Sequence, residues 1–236
     1  MARILLIETS GPTLSVAIAD GGKVLAERVC REPRMQASLT APLVKEVLDQ
    51  CSLAVSDCDA VCVSKGPGSY TGLRVGTSTA KGLCFGAGIP LIAISTLDVL
   101  AAMARDPRNK SEDDWMVVPM IDARRMEVYT AVYSPAGERL GDIEAKVIGP
   151  DSFADELAAG PVLFIGDGAL KCKDVIKHPN AIFREAFPLA SAMAPLAEKA
   201  YNEKQFEDLA YFEPFYLKDF VAVKGSGPWG QMLNNQ

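Results

Sequence analysis

The sequence predicts an α/β protein built twice on one plan. The order strand, strand, strand, helix, strand occurs between residues 3 and 66 and returns between residues 115 and 166. The strands are short apolar runs bounded by glycine, proline and acidic residues, the pattern of buried α/β strands. Between the two series lies "RDPRNKSEDD", residues 105–114, a polar stretch without periodicity. It reads as a linker. The expected units are therefore residues 1–104 and 115–224, with a disordered tail at 225–236.

The elements follow in order. "RILLIET", "LSVAIAD" and "KVLAERV" are strands, turned by Gly11-Pro12 and by Asp20-Gly21-Gly22. From Gln36 to Cys51 the apolar residues Leu39, Leu43, Val44, Val47 and Leu48 recur at helical spacing and leave Lys45, Glu46 and Asp49 on another face. "DAVCVSK" is a strand, a helix begins near Thr71 with Ser69 or Thr71 as its cap, and "PLIAIS" is a further strand. Ser95, with Asp98 three residues on, marks the start of a helix running through Met103. After the linker come the strands "WMVVPMID" and "MEVYTAVYS" and one ending in "EAKVIG". The helix "SFADELA", the strands "VLFIG" and "AIFRE" and a helix from Ala190 to Asn202 complete a looser second copy.

Composition narrows the function. The 236 residues are 49% apolar and 23% charged with a net charge of −6, and the cations are scattered. That excludes a basic footprint for direct nucleic-acid binding. The six cysteines sit mostly in apolar periodic segments without a CxxC pair, which points to reduced thiols and a cytoplasmic protein. The first apolar run ends at Glu8, too soon for a signal-peptide core, and the uncharged run from Gly82 to Leu97 is too short and too rich in glycine to span a membrane. His178, in the polar context "IKHPN", is the single histidine, so a zinc or iron site lacks ligands. A Ser-His-Asp hydrolase lacks a GxSxG elbow.

"SKGPGSYTGLRVGTSTAKG", residues 64–82, fails both glycine-rich phosphate motifs: no Gly-Lys-Ser/Thr follows, and Thr71 stands where a dinucleotide loop needs its third glycine. In the helix behind it, Gly72, Gly76 and Ala80 form a face with almost no side chain. A helical glycine costs roughly 1 kcal/mol relative to alanine, so another backbone should approach there. Its source is either the chain's own sheet or a second molecule. The turns Glu8-Thr9-Ser10-Gly11 and Asp122-Ala123-Arg124-Arg125 occupy equivalent places in the two copies, so Glu8, Thr9, Ser10, Gly11 and Asp122 are candidate nucleotide-binding residues facing a ligand between the halves.

"ILLIETSGPTLSVAI", "VSKGPGSYTGLRVGTSTAKGL", "LIAISTLDVLA", "MIDARRMEVYTAVY" and "EPFYLKD", in this order, closely resemble the bacterial TsaB (YeaZ) family from Arg3 to about Val221. The resemblance implies the duplicated actin-like/Hsp70-like ATPase (ASKHA) fold and a part in forming threonylcarbamoyladenosine (t6A) in tRNA. It implies a non-catalytic subunit, with no cofactor of its own, that dimerises with a TsaD-like paralogue; ATP and magnesium belong to the assembled complex. It further implies a TsaE-like ATPase partner, tRNA contact through the complex, a homodimer when alone and no membrane association. Mapped onto this chain, the dimer surface uses the helices 36–51 and 71–87, with Leu39, Leu43, Val47, Thr71, Gly72, Arg74, Gly76, Ala80 and Leu83 as interface candidates. Two departures stand out: Arg34-Met35-Gln36 replaces a His-Ser or His-Thr pair, and Met126 replaces a glycine.

Overall fold

A computed structural model describes residues 1–105 and 114–218. The expected tail, and the expected linker apart from Arg105 and Asp114, lie outside the described residues. The strands are β1 Arg3–Glu8, β2 Leu14–Asp20, β3 Lys23–Cys30, β4 Ala60–Gly66, β5 Leu91–Ser95, β6 Met116–Asp122, β7 Glu127–Tyr133, β8 Arg139–Val147, β9 Val162–Ile165 and β10 Ala181–Arg184. The helices are α1 Gln36–Gln50, α2 Tyr70–Ala87, α3 Thr96–Ala104, α4 Ala154–Ala159, α5 Ala169–Cys172 and α6 Ala190–Asn202.

Two five-stranded mixed sheets share one topology. The first runs β3-β2-β1-β4-β5 and the second β8-β7-β6-β9-β10. In each, the first three strands in chain order pair antiparallel and the last two join parallel beside the first. The central strands are covered on both faces, which is why they read as nearly continuous apolar runs. Leu5 and Ile7 of β1 meet α1 and α2, while Ile4 and Leu6 meet α6. The duplicated plan is therefore present, with unequal copies: α1 and α2 have 15 and 18 residues, and their counterparts α4 and α5 have 6 and 4.

The two sheets exchange their last helices. α3, from the first half, packs Leu97, Leu100, Ala101 and Ala104 against Val117, Ile121, Tyr133 and Leu163 of the second sheet. α6, from the second half, lays Ala190, Met193, Ala194 and Ala197 on Ile4, Leu6, Ala17 and Ala60 of the first. Boundaries drawn at 104 and 115 thus follow the sheets and cut across the helices. Ser95 caps α3 as expected, its hydroxyl accepting the Leu97 N–H at 3.3 Å. Asp98 has a different role from the expected cap. It accepts a hydrogen bond from the Tyr133 hydroxyl and pairs with Arg139 at 3.6 Å. Desolvation of the buried phenol beside that carboxylate pushes the Tyr133 pKa up.

Ser69 caps α2, its hydroxyl accepting the Gly72 N–H at 3.3 Å. The helix ends at Gly88 in the left-handed region, φ +69°, where the Gly88 N–H bonds Cys84 O. α1 starts at Gln36, whose side-chain amide donates to Gly11 O at 2.9 Å. This is the contact that Gln36 makes at the first departure from the family pattern.

Candidate functional site

A cleft of about 930 Å³ opens between the two sheets, a volume in the range of small-molecule sites. Five chain reversals face it, three from the first copy and two from the second. The turn after β1 brings Ser10 and Gly11, and the loop after β4 brings Pro67 to Gly72. The second copy supplies Asp122 to Arg124 after β6, and Asp167 after β9. Pro33 and Arg34 between β3 and α1, Gln36 and Ala37 at the start of α1, and residues 215–218 also line it.

The loops after β4 and β9 are equivalent in detail. Gly66 and Gly166 have φ of +106° and +134°, a conformation open to glycine at little cost. Gly68 touches the Ser10 backbone so closely that a Cβ there would fall within 3.0 Å of Ser10 O, and a Cβ on Gly168 would meet Asp122 N at 3.0 Å. Each copy therefore presses its second loop onto the turn after its first strand. Asp167 is not among the candidates that the sequence suggests, although "IGDG", residues 165–168, mirrors "KGPG", residues 65–68, and that repeat is the signal that points to it. Asp167 Oδ1 accepts the Asp122 N–H at 2.9 Å, and partial burial raises its pKa.

The structure divides the five candidate cofactor residues. Ser10, Gly11 and Asp122 line the cleft; Glu8 and Thr9 are fully buried behind it. Glu8 Oε1 accepts the Ser10 N–H at 2.6 Å, and desolvation raises its pKa against the opposing pull of Ser10. Glu8 Oε2, Ser10 Oγ and Ser64 Oγ are buried together, and both hydroxyls oppose the rise in the Glu8 pKa. Asp122 is paired with Lys171, which also donates to Glu127 O at 2.7 Å.

A magnesium nucleotide fits these residues poorly. The Ser69 N–H at the start of α2 is committed to Ser10 O at 2.6 Å, closing the gap where a phosphate would meet both loops. Of the three carboxylates at these turns, Glu8 is out of reach, Asp167 accepts the Asp122 N–H and Asp122 already holds an ammonium group.

The small face of α2 has its explanation inside the molecule. Cβ atoms on Gly72 and Gly76 would fall within 3.0 Å of Thr9 O and Thr9 Oγ1 respectively, and Thr9 Oγ1 donates to Gly72 O at 2.8 Å. Ala80 is fully buried under the same sheet. Gly72, Gly76 and Ala80 are thus corrected from interface candidates to positions that admit the turn after β1. Leu43 and Val47 are corrected likewise, since both point into the core of the first sheet. Thr71 and Arg74 are exposed, and Leu39 and Leu83 are half-buried.

α1 and α2 run parallel, with Ala37 and Thr71 at the cleft and Leu48 and Leu83 at the far end. Between them lies an apolar hollow of about 430 Å³, walled by Val44, Leu48, Leu53, Val55 and Leu83 and rimmed by Lys45 and Asp49. Thr71, Arg74, Ser78, Gly82 and Phe85 form the exposed outer face of α2, and Phe85 is 82% exposed. No described helix is long and apolar enough to cross a membrane.

Residues 34–225 match the family model described as TsaD, tRNA N6-adenosine threonylcarbamoyltransferase. The chain is 31% identical over 230 residues to the tRNA threonylcarbamoyladenosine biosynthesis protein TsaB of Escherichia coli K12, covering 94% of this chain and 97% of that protein. It is 36% identical over 231 residues to TsaB of Bacillus subtilis 168, covering 91% and 93%. Among solved structures, YeaZ from Pseudomonas aeruginosa superimposes with a TM-score of 0.79 at 28% identity, over 92% of this chain and all of that one.

Proposed function

The chain belongs to the TsaB family and has its duplicated actin-like ATPase fold, and on that premise we propose that it is a non-catalytic scaffold or activator subunit in t6A biosynthesis. In this role it dimerises with a TsaD-like protein and supports threonylcarbamoyl transfer to the adenosine next to the anticodon. A TsaE-like ATPase joins the assembly, tRNA is held through the complex, and the chain pairs with itself when alone.

The observation that carries the docking role is the α1–α2 face. The first copy holds two long helices where the second holds helices of six and four residues, and between the two long helices an apolar hollow stays open to solvent. Burying such a surface against a partner is favourable by roughly 25 cal/mol per Å² of apolar area. Thr71, Arg74, Leu83 and Leu39 remain as interface candidates. Gly72, Gly76 and Ala80 act behind them by seating α2 on the sheet.

The reading is tested by measuring the mass of the chain alone and mixed with its cognate TsaD-like protein, followed by a reconstituted tRNA modification assay. A mixed complex that replaces the homodimer, with modification dependent on the chain, is expected. Leu83→Glu, which places a charge at the hollow, should abolish association while the monomer stays folded. Unchanged affinity would count against the docking face. A second reading, a residual ATP-binding or phosphotransfer enzyme, is favoured by the convergence of Ser10, Gly11 and Asp122 on one cleft. Calorimetry of the isolated chain with ATP and magnesium decides it, and the committed Ser69 amide and paired Asp122 predict no binding heat.

A further inference from the structure

After α6 the chain runs back along the first sheet, beside α2 and over the cleft. The Glu207 N–H donates to Leu91 O at 2.9 Å, and Leu209 and Phe212 pack on the core. Lys81, on the flank of α2, donates to Ala210 O and Phe212 O, both at 3.1 Å. The Phe215 N–H donates to Lys65 O at 2.7 Å. Tyr216 packs its ring on Tyr70 at 4.8 Å, and Lys218 reaches the second sheet to pair with Glu127. Residues 207–218 are thus a strap without regular structure, pinned along its length, and its last four residues line the cleft.

One fastening of this strap faces outward. The Tyr70 ring that meets Tyr216 also carries the Arg74 guanidinium at 4.3 Å from its centroid, and Arg74 lies on the exposed outer face of α2. Cation–ring attraction holds Arg74 and Tyr70 together, and Tyr70 in turn positions Tyr216. A carboxylate competes for a guanidinium more strongly than a ring does, because it accepts two parallel N–H bonds.

We propose that residues 207–218 form a strap whose grip on the cleft is set by Arg74, so that a partner's acidic side chain drawing Arg74 off Tyr70 loosens the strap and opens the cleft. Docking on α2 is thereby communicated to the space between the two sheets. The partner half of this inference rests on the docking role proposed above; the Arg74 half concerns the isolated chain alone.

The test is site-resolved hydrogen exchange on the full chain, read at the Phe215 amide. Arg74→Ala is expected to speed exchange there about two- to fivefold, although that amide is bonded to Lys65 O and not to Arg74, because the fastening at Tyr70 is weakened. Tyr216→Ala should do the same, Arg74→Lys should retain protection, and Ser78→Ala, on the same outer face, should change nothing. Wild-type exchange at Phe215 in Arg74→Ala overturns the proposal. So does equal acceleration throughout β1 and β6, which would mean a general loosening. Adding the TsaD-like protein should then raise Phe215 exchange in the wild type. A bound partner with Phe215 unchanged or better protected overturns the communication step. Absence of binding removes the partner half together with the docking role, and the Arg74→Ala result then decides the strap by itself.

Discussion

Gly76→Ala should destabilise the chain although it replaces glycine by the best helix former in an 18-residue helix. Helix propensity alone favours the alanine by about 1 kcal/mol. The new methyl would enter the space of Thr9 Oγ1, with Thr9 Cβ and Cγ2 both at 3.4 Å. Thr9 cannot rotate away freely, because it is fully buried and its hydroxyl donates to Gly72 O at 2.8 Å. Overpacking of this kind costs roughly 1–3 kcal/mol. Breaking the buried hydrogen bond adds about 1 kcal/mol. The expected net loss is about 1–3 kcal/mol, read as a lower urea midpoint at unchanged slope. Thr9→Ala should cost about 1 kcal/mol alone through the lost hydrogen bond. In the double variant the clash is gone and the propensity gain is realised, so it should lie within about 1 kcal/mol of the wild type. A stabilised Gly76→Ala, or a double variant whose loss equals the sum of the singles, would refute the reasoning.

The buried groups and the exchanged helices give two more expected outcomes. Burial raises the Glu8 pKa above its ordinary value of 4.5, so the folded state holds the proton more tightly than the unfolded chain. Its contribution to stability is complete below about pH 4.5 and is lost as pH rises toward the folded pKa, so Glu8→Gln should flatten that decline and raise the urea midpoint at neutral pH. A fragment ending at residue 104 should fail to fold alone, since it lacks α6 and bares Ile4, Leu6, Ala17 and Ala60; a cooperative urea transition for the fragment would contradict the exchanged arrangement.

The duplicated plan is legible in the sequence because strand order depends on local pattern. The continuous apolar run of β1, the turn residues and the caps at Ser69 and Ser95 are properties of a few neighbouring residues, and they stand where the pattern puts them. The exchange of α3 and α6 is not legible, because an amphipathic helix does not declare which apolar sheet it will cover. The same limit governs Gly72 and Gly76. Their spacing announces a close approach, but only the placement of Thr9 supplies the approaching backbone. Asp98 illustrates a different failure: the capping spacing is real, yet Tyr133, 35 residues away, takes the carboxylate. Asp167 escapes notice because one aspartate in a short loop carries little signal until its loop is matched to Gly66–Gly68.

The correction at α2 strengthens the link between the cleft and the outer helix face. Because Gly72 and Gly76 take Thr9 against their backbone, α2 is seated directly on the turn that also carries Ser10 and Gly11 into the cleft. The loop at the start of α2 bonds that turn a second time, through the Ser69 N–H on Ser10 O, and Gln36 ties the start of α1 to Gly11 O. Both long helices therefore begin on one four-residue turn. Moving either helix moves the cleft wall, since packed interiors transmit displacement with little slack. A phosphate would need the free amides of this turn and of the α2 start; here the Ser10 N–H is held by Glu8 Oε1 and the Ser69 N–H by Ser10 O, and the result is a rigid base for the helix pair that carries the hollow. The docking proposed on α1 and α2 would thus draw on the same turn that a nucleotide would require.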